Sequence, residues 1–327
     1  MPQAASDHSA SPIGSYLNKE ELKSLQTGSP LRVSIDIGLT WLIIFATLAI
    51  SARWPQPVVF AVCFIVISCR QLALTHLVHD ASHFRLFRQR RVNDLVSDLL
   101  LAGPVAITTA SYRAQHLPHH QHLGDRLRDT DQRAWYALKG PLFWRRTLLT
   151  LAGWEAITTF TSYAKVGVDS NSPSSLLWRL ACAGLGNSVL LAYCWWLGAP
   201  LLYFTLWVLP LFTLTMLLQA YRVIAEHQGD DYAARGVDCS SESFDPPLTR
   251  SLECGPIEKF LIGPFNFHLH HEHHLLPSVP YHQLPRMHRL LLARGYFTEH
   301  PEALGSGYLA TLRRLARPQL TGTPQHG

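Results

Sequence analysis

Three histidine sets in this chain are spaced as metal ligands are. His79 and His83 stand i, i+4 in HDASH, His116, His119 and His120 fall in HLPHH, and His270, His273 and His274 form an H-x-x-H-H set. On a helix, positions i, i+3 and i+4 share one face, so each set aims its imidazoles at one place. Neutral imidazole suits iron, zinc or copper. The third set lies in residues 265–288, which hold seven of the chain's eighteen histidines in twenty-four residues. A histidine-rich surface explains one such tract. It does not explain three, each beside or between long apolar runs. In the second set, Pro118 disfavours the α conformation at Leu117. His116 is therefore expected to precede the helix that carries His119 and His120.

Metal-bound imidazole usually donates its other N–H to an oxygen. Asp80, Asp125, Asp129, Asp131, Glu226, Glu272 and Asn266 are the expected partners. His76, His122, His268, His271, His282 and His288 read as supporting or surface residues. An H-x-x-H-H register starting at His271 would need histidine at Leu275.

The elements that position these sets are membrane spans. Charged residues make up 16% of the 327 residues and hydrophobic ones 47%. A typical soluble domain has about 25% charged residues. A hydrocarbon core of about 30 Å needs about 20 apolar residues. Runs of that kind occur at 33–52, 58–79, 176–197 and 201–220. Residues 95–110 are apolar but short, and contain Gly103 and Pro104. They read as a re-entrant or interfacial segment. Asn18 to Gln26 reads as a short amphipathic helix with an Asn cap, preceded by a disordered start to Ser15. Arg70 lies inside the second run, where a cation is either functional or paired. The six cysteines form no C-x-x-C pair and read as buried small hydrophobes.

Four spans in two hairpins put residues 1–32, 80–175 and 221–327 on one side. Those segments carry 3, 12 and 10 Lys plus Arg, against Arg53 alone on the other side. The positive-inside rule then places both termini and all three histidine sets in the cytoplasm. The expected fold is an all-α integral membrane protein with a cytosolic, mainly helical cap carrying the histidines. Its parts are a cytosolic segment 1–32, a membrane domain 33–290 and a basic tail 291–327. The basic charge flanks apolar runs and gives no nucleic-acid signal.

Together the three sets resemble the histidine boxes of the membrane fatty-acid desaturase superfamily, in its bacterial branch. HDASH follows an apolar run and precedes the basic FRLFRQRRVND, and the third box continues as HHLLPSVPYHQLP, like the family's HHLxPxxPxxxL ending. The resemblance covers roughly residues 60–290. It implies two iron ions (Fe2+/Fe3+) held mainly by histidine, with O2 as co-substrate, at a bacterial inner membrane. It also implies electrons from a separate ferredoxin or cytochrome b5-type donor. The chain has no G-x-G-x-x-G and no cluster-binding cysteine spacing. The family often has a further histidine past the fourth span, matched here by His227 in RVIAEHQG. Eight box histidines shared evenly give each iron four, with room for His227 as a ninth ligand.

Desaturation of an alkyl chain, with a fatty acyl chain as the default, is the first reading. A small natural-product precursor, as in rhizobitoxine biosynthesis, is the alternative substrate. Hydroxylases and ketolases share the boxes. A metal transporter would place its ligands at the bilayer midplane, whereas these lie outside the apolar runs. A zinc hydrolase needs about three protein ligands, far fewer than the sets supply.

Overall fold

The computed structural model describes residues 12–123, 125, 128–130, 140–169, 173–227 and 249–317. Helices α1 (Lys19–Leu25), α2 (Pro30–Arg53) and α3 (Pro57–Ser82) come first. Asn18 caps α1 in a reciprocal box with Glu21, as its sequence position suggests. Ser29 caps α2, and proline opens both α2 and α3. At that position the missing N–H costs nothing. Pro12–Ser15, expected to be disordered, form a 3-10 turn. Ile13 and Leu17 bury against Leu284, Leu291 and Phe297 of the cap. These two hydrophobes supply what a polar, alanine-rich start lacks.

Four helices are long and apolar enough to cross a membrane: Lys19–Arg53, Pro57–Ser82, Leu176–Trp196 and Tyr203–Glu226. The last runs past its expected end at Ala220. It is a π-helical stretch (Tyr203–Val208) followed by α9 (Leu209–Phe212) and α10 (Leu214–Glu226). The third span is α8 (Pro173–Trp196). The extension of α10 carries Arg222 and Glu226 inward, both buried.

The 95–110 segment is the expected bend. Helix α4 (Arg90–Ser97) continues as a π turn (Asp98–Ala102) and a 3-10 turn (Gly103–Val105), and α5 (Thr109–Gln121) leaves at 90°. Buried Asp98 closes the corner. One carboxylate oxygen accepts the N–H of Thr109 at 2.7 Å, the other the indole N–H of Trp178 at 2.8 Å. Backbones touch here: a Cβ on Gly103 would lie 2.5 Å from the Asp98 carbonyl and 2.8 Å from that of Cys182.

Helix α5 corrects one expectation. It runs unbroken through Pro118, so His116 is helical like His119 and His120. Tertiary contacts outweigh the local preference at Leu117. Thr108 and Ser111 cap the helix reciprocally. Arg113 then fastens it to the end of α3, donating to the carbonyls of Ser82 (2.8 Å) and Ala81 (3.1 Å) and to Asp94 (2.6 Å). Those carbonyls are among the groups a helix end leaves unpaired.

Helices α6 (Pro141–Leu151) and α7 (Trp154–Asp169) expose Leu142, Trp144, Leu148, Trp154 and Ile157. That pattern fits an interfacial position. The cap follows: β1 (Ser251–Glu253), α11 (Pro256–Leu261), α12 (His270–Leu275), α13 (Leu284–Ala293), α14 (Tyr296–Glu299), β2 (Leu304–Ser306) and α15 (Tyr308–Ala316). The two strands are parallel, with Ser251 opposite Leu304. Residues beyond 290, expected as a tail, are thus folded through Ala316, and Tyr308 is fully buried. Arg70 is paired: its guanidinium donates to the Phe260 carbonyl at 3.0 Å and lies over that ring. Cys63, Cys69, Cys182 and Cys194 are free and buried.

The lysine and arginine asymmetry predicts orientation. Reporter fusions at Pro55 and Ala199 should read as external, and those at Asp169 and Gly327 as internal. An external reading at Asp169 contradicts the four-span arrangement.

Candidate metal centre

All three sets converge where α3, α5 and α10 end and α12 closes over them. His79 is in the last turn of α3 and His83 caps it. The five residues His79, His83, His116, His120 and His273 each offer a ring nitrogen, all within 4.8 Å of one another. His119, His227 and His274 form a second such group. His270 joins it, with Nε2 3.2 Å from that of His227 and 3.0 Å from that of His274. The division is therefore five and four, and it corrects the even split. Without His227 the second group would keep only three.

The hydrogen bonds decide what these nitrogens are doing. His119 Nδ1 lies 2.8 Å from Asp129 Oδ1, and His227 Nδ1 lies 3.0 Å from the Val223 carbonyl. Each oxygen can accept a proton from its ring, an arrangement that puts the proton on Nδ1 and leaves Nε2 free to bind a cation. In a neutral imidazole the other nitrogen then presents a lone pair. Yet the two Nε2 atoms face each other at 3.0 Å. Two lone pairs at that distance repel unless a cation sits between them. In the first group, His120 Nε2 is 2.9 Å from His116 Nε2 and 3.0 Å from His273 Nε2. One ring nitrogen is either a donor or an acceptor, so it cannot serve as both along such a chain. His79 Nδ1 and Nε2 and His83 Nε2 are buried with no hydrogen-bond partner.

A shared proton is the weaker candidate for that cation. Burial pushes the His83 imidazole down to about 3, aided by the charges of Arg85 and Arg113. Burial likewise holds His270, His273 and His274 well below the ordinary histidine range, with neighbouring imidazoles adding to the effect. Those four rings are thereby held in the neutral state that binds a metal. The spacing also fits. Nitrogens bound at about 2.1 Å stand about 3.0 Å apart at right angles and about 3.4 Å apart at the tetrahedral angle. The 2.9–3.2 Å separations show that these imidazoles could share a metal ion.

The expected partners divide. Asp129 holds His119 as described. Asp80 Oδ1 stands 3.6 Å from His79 Nδ1, while its Oδ2 accepts the Tyr281 N–H at 2.9 Å. Glu226, fully buried, lies 3.5 Å from His270 Nδ1 and accepts from Arg222 (2.5 Å) and the Tyr308 hydroxyl (2.6 Å). Glu272 is a correction. It sits about 200° around α12 from His270, at 100° per residue, and therefore points away to Ser251 and His288. Asn266 is another: its amide donates to the Tyr281 carbonyl at 3.2 Å. Asp131 lies outside the described residues. His271 is tied to Thr249 and Tyr296, at 2.9 and 2.8 Å, away from both groups. His76 stacks on Phe267 with ring centroids 3.9 Å apart.

Four contributing residues had no sequence signal: Arg113, Arg222, Tyr281 and Tyr308. Tyr281 is the anchor of the third set. Its hydroxyl donates to Asp36 of α2 at 2.6 Å while its N–H binds Asp80 of α3. In the sequence, Asp36 is merely a charge inside the first apolar run.

Comparison with known proteins agrees with this geometry. The family model described as fatty acid desaturase matches residues 53–304. A dihydrorhizobitoxine desaturase of Bradyrhizobium elkanii is 25% identical over 290 residues, covering 84% of this chain and 78% of the relative. A β-carotene ketolase of Paracoccus sp. (strain PC1) is 25% identical over 263 residues, covering 77% and 91%.

His227→Ala should lower bound metal and weaken metal affinity at least about 10–100-fold. His271→Ala should retain most of the metal. Metal analysis of the folded, purified variants checks both, and a fully loaded His227→Ala protein contradicts the ninth-ligand assignment.

Proposed function

The chain belongs to the fatty acid desaturase family, and from that premise we propose that it is an O2-dependent di-iron desaturase acting on an alkyl segment. It is an oxidoreductase by kinship, with desaturase and ketolase relatives. The carrying observation is the convergence of nine imidazoles, with the Nε2 atoms of His119 and His227 3.0 Å apart. Two groups, of five and four rings, support two ions. When bound, iron supplies the O2 chemistry that removes hydrogen from an unactivated C–H bond.

The chain's own residues do the rest. Asp129 and the Val223 carbonyl fix the tautomers of His119 and His227 by taking their Nδ1 protons. Phe267 lies 4.6 Å from the His79 ring and 5.5 Å from the His270 ring, between centroids, and excludes water between the two groups. The substrate side is supported by a pocket lined by Thr75, Ile107, Tyr112, Phe160, Met216 and Gln219 among others. The cavity itself measures about 50 Å³. Thr75 and Tyr112 each precede a histidine, His79 and His116, by one helical turn. Tyr112 bridges pocket and site, its ring 5.4 Å from that of His116. An alkyl segment reaching the first group through this pocket presents its C–H bonds beside His79 and His116.

The fatty acyl chain expected first finds no support in the relatives, which are named for dihydrorhizobitoxine and β-carotene. The ketolase kinship is the specific ground for a second reading, oxygen insertion. Electrons come from a separate ferredoxin or cytochrome b5-type donor. The arginines Arg88, Arg90 and Arg91, on the side of the membrane that carries the site, suit an acidic donor surface. A cell membrane with both termini in the cytoplasm completes the reading.

The test is turnover by purified, iron-loaded protein in cell extract with a chemical reductant, followed by mass spectrometry. The expected product is an alkene formed only with O2 and with about two irons per chain. Oxygen from labelled O2 in the main product would replace desaturation by oxygen insertion. Turnover without O2 contradicts the di-iron reading.

A further inference from the structure

One short helix of the cap is inside out. Helix α11 places Ile257, Phe260 and Leu261 within about 100° of one another, with Glu258 and Lys259 on the remaining arc. A helix on a soluble protein turns such an apolar stripe to the core. Here Ile257 is 70% exposed and Phe260 42%. It is Glu258 that faces the protein, accepting the N–H of Leu309 on α15 at 2.9 Å and that of Gly255 at 3.0 Å. Leu309 is itself exposed. Single exposed hydrophobes need no explanation, but a stripe turned outward while its acid turns inward does.

The depth of α11 supplies one. Arg70 of α3 donates to the Phe260 carbonyl at 3.0 Å and lies over the Phe260 ring, 4.3 Å from its centroid. Nearer the histidines, His76 Nδ1 stands 3.4 Å from the Pro264 carbonyl, and the His76 ring stacks on Phe267 at 3.9 Å. From Phe267 back to Phe260 the chain therefore descends α3, away from His79 and toward the hairpin turn. Arg70 precedes His79 by nine residues, a rise of about 14 Å. Helix α2 marks what surrounds that depth. Tyr281 ties Asp36 of α2 to Asp80 of α3, which sets these two residues near one level of the hairpin. Between that tie and the turn, α2 exposes Leu39 and Leu42, as a span does toward lipid.

We propose that α11 is an interfacial helix sunk into the leaflet next to the metal centre, with Ile257 and Phe260 against lipid acyl chains. The proposal rests on the four spans and is independent of the reaction. A helix of this kind buries its apolar face about 5–10 Å into the boundary of headgroups and chains. Alone, α11 is too short to bind a membrane; Arg70 holds it at that depth. Lys259 lies about 200° around the helix from Ile257 and is exposed. Its stem can follow the apolar surface while its ammonium reaches the phosphate layer. A protein partner fits less well, because Ile257, Phe260 and Leu309 fall short of the about 1,000 Å² that a stable interface buries. The consequence reaches the imidazoles. Helix α11 leads through Pro264 and Phe267 into α12, so its lipid contact fixes the height of the third histidine set over the membrane.

The test is photocrosslinking of the full chain in cell membranes, with p-benzoylphenylalanine replacing Ile257, Phe260, Leu39 or Thr298 in turn, and mass spectrometry of the adducts. All four side chains are exposed, so the replacements leave the core intact. Leu39 is the lipid reference on a span, and Thr298 on α14 is the water-facing one. Ile257 and Phe260 should give lipid adducts at a yield within about twofold of Leu39, and Thr298 should lose that signal. A lower lipid yield at Ile257 or Phe260, or an equal one at Thr298, overturns the proposal. Adducts formed chiefly with the chain itself or with a second copy overturn it too, and name the true occupant. A Leu39 position without lipid adducts removes the span placement and the proposal with it.

Discussion

Two imidazole nitrogens, Nε2 of His119 and Nε2 of His227, face each other across 3.0 Å, and when both present lone pairs the fold holds a cation site between them. Without a cation that contact is repulsive, and burial removes the water that would screen it. The cost is met by four elements that have no other reason to meet. Helix α3 brings its last turn, α5 comes off a right-angled corner, α10 overruns its span, and α12 closes from the cap. Their ends are fastened by charged or polar residues: Arg113 between α5 and α3, Asp98 at the corner, Tyr281 between cap and both helices of the first hairpin. Glu226 links α10 to α15 through Arg222 and Tyr308. Metal binding then returns free energy that folding has invested, which is how metal sites couple to stability.

The spans set the depth of this centre. Each of α3 and α10 is apolar until its last turns, where the side chains change to histidine, aspartate, arginine and glutamate. The imidazoles sit at the rim of the hydrocarbon layer, and the pocket lies one turn deeper, between the same helices. On the function proposed above, an apolar substrate would enter from the bilayer among the helices, and the electron donor would dock at the basic face. The exposed aromatic and leucine side chains of α6 and α7 suit the boundary between them.

Much of this was legible in the sequence because it depends on short-range spacing. The i, i+3, i+4 spacing of the first and third sets and the four apolar runs are local patterns, and these appear where they were expected. His227 was legible too, through its position at a span exit and the resemblance to the family. What was hidden depends on contacts across the chain. Tyr308 reaches Glu226 over an interval of 82 residues, and Tyr281 reaches Asp36 over 245. No periodicity announces such a pair. Glu272 was misread because a carboxylate between histidines looks like a partner, while helical geometry turns it to the far face. Pro118 was misread because a local preference of the backbone lost to capping and to Arg113. The five-and-four division follows from where α5 directs His119 relative to its neighbours, a matter of helix crossing that sequence spacing leaves open.

The central claim is that nine imidazoles hold two separate ions. Diffraction from crystals of the iron-loaded, full-length protein, recorded above and below the iron absorption edge, tests it most directly. Two anomalous peaks are predicted, one among His79, His83, His116, His120 and His273, the other among His119, His227, His270 and His274. A single peak, or a second group whose metal lies out of reach of His227, would contradict the account.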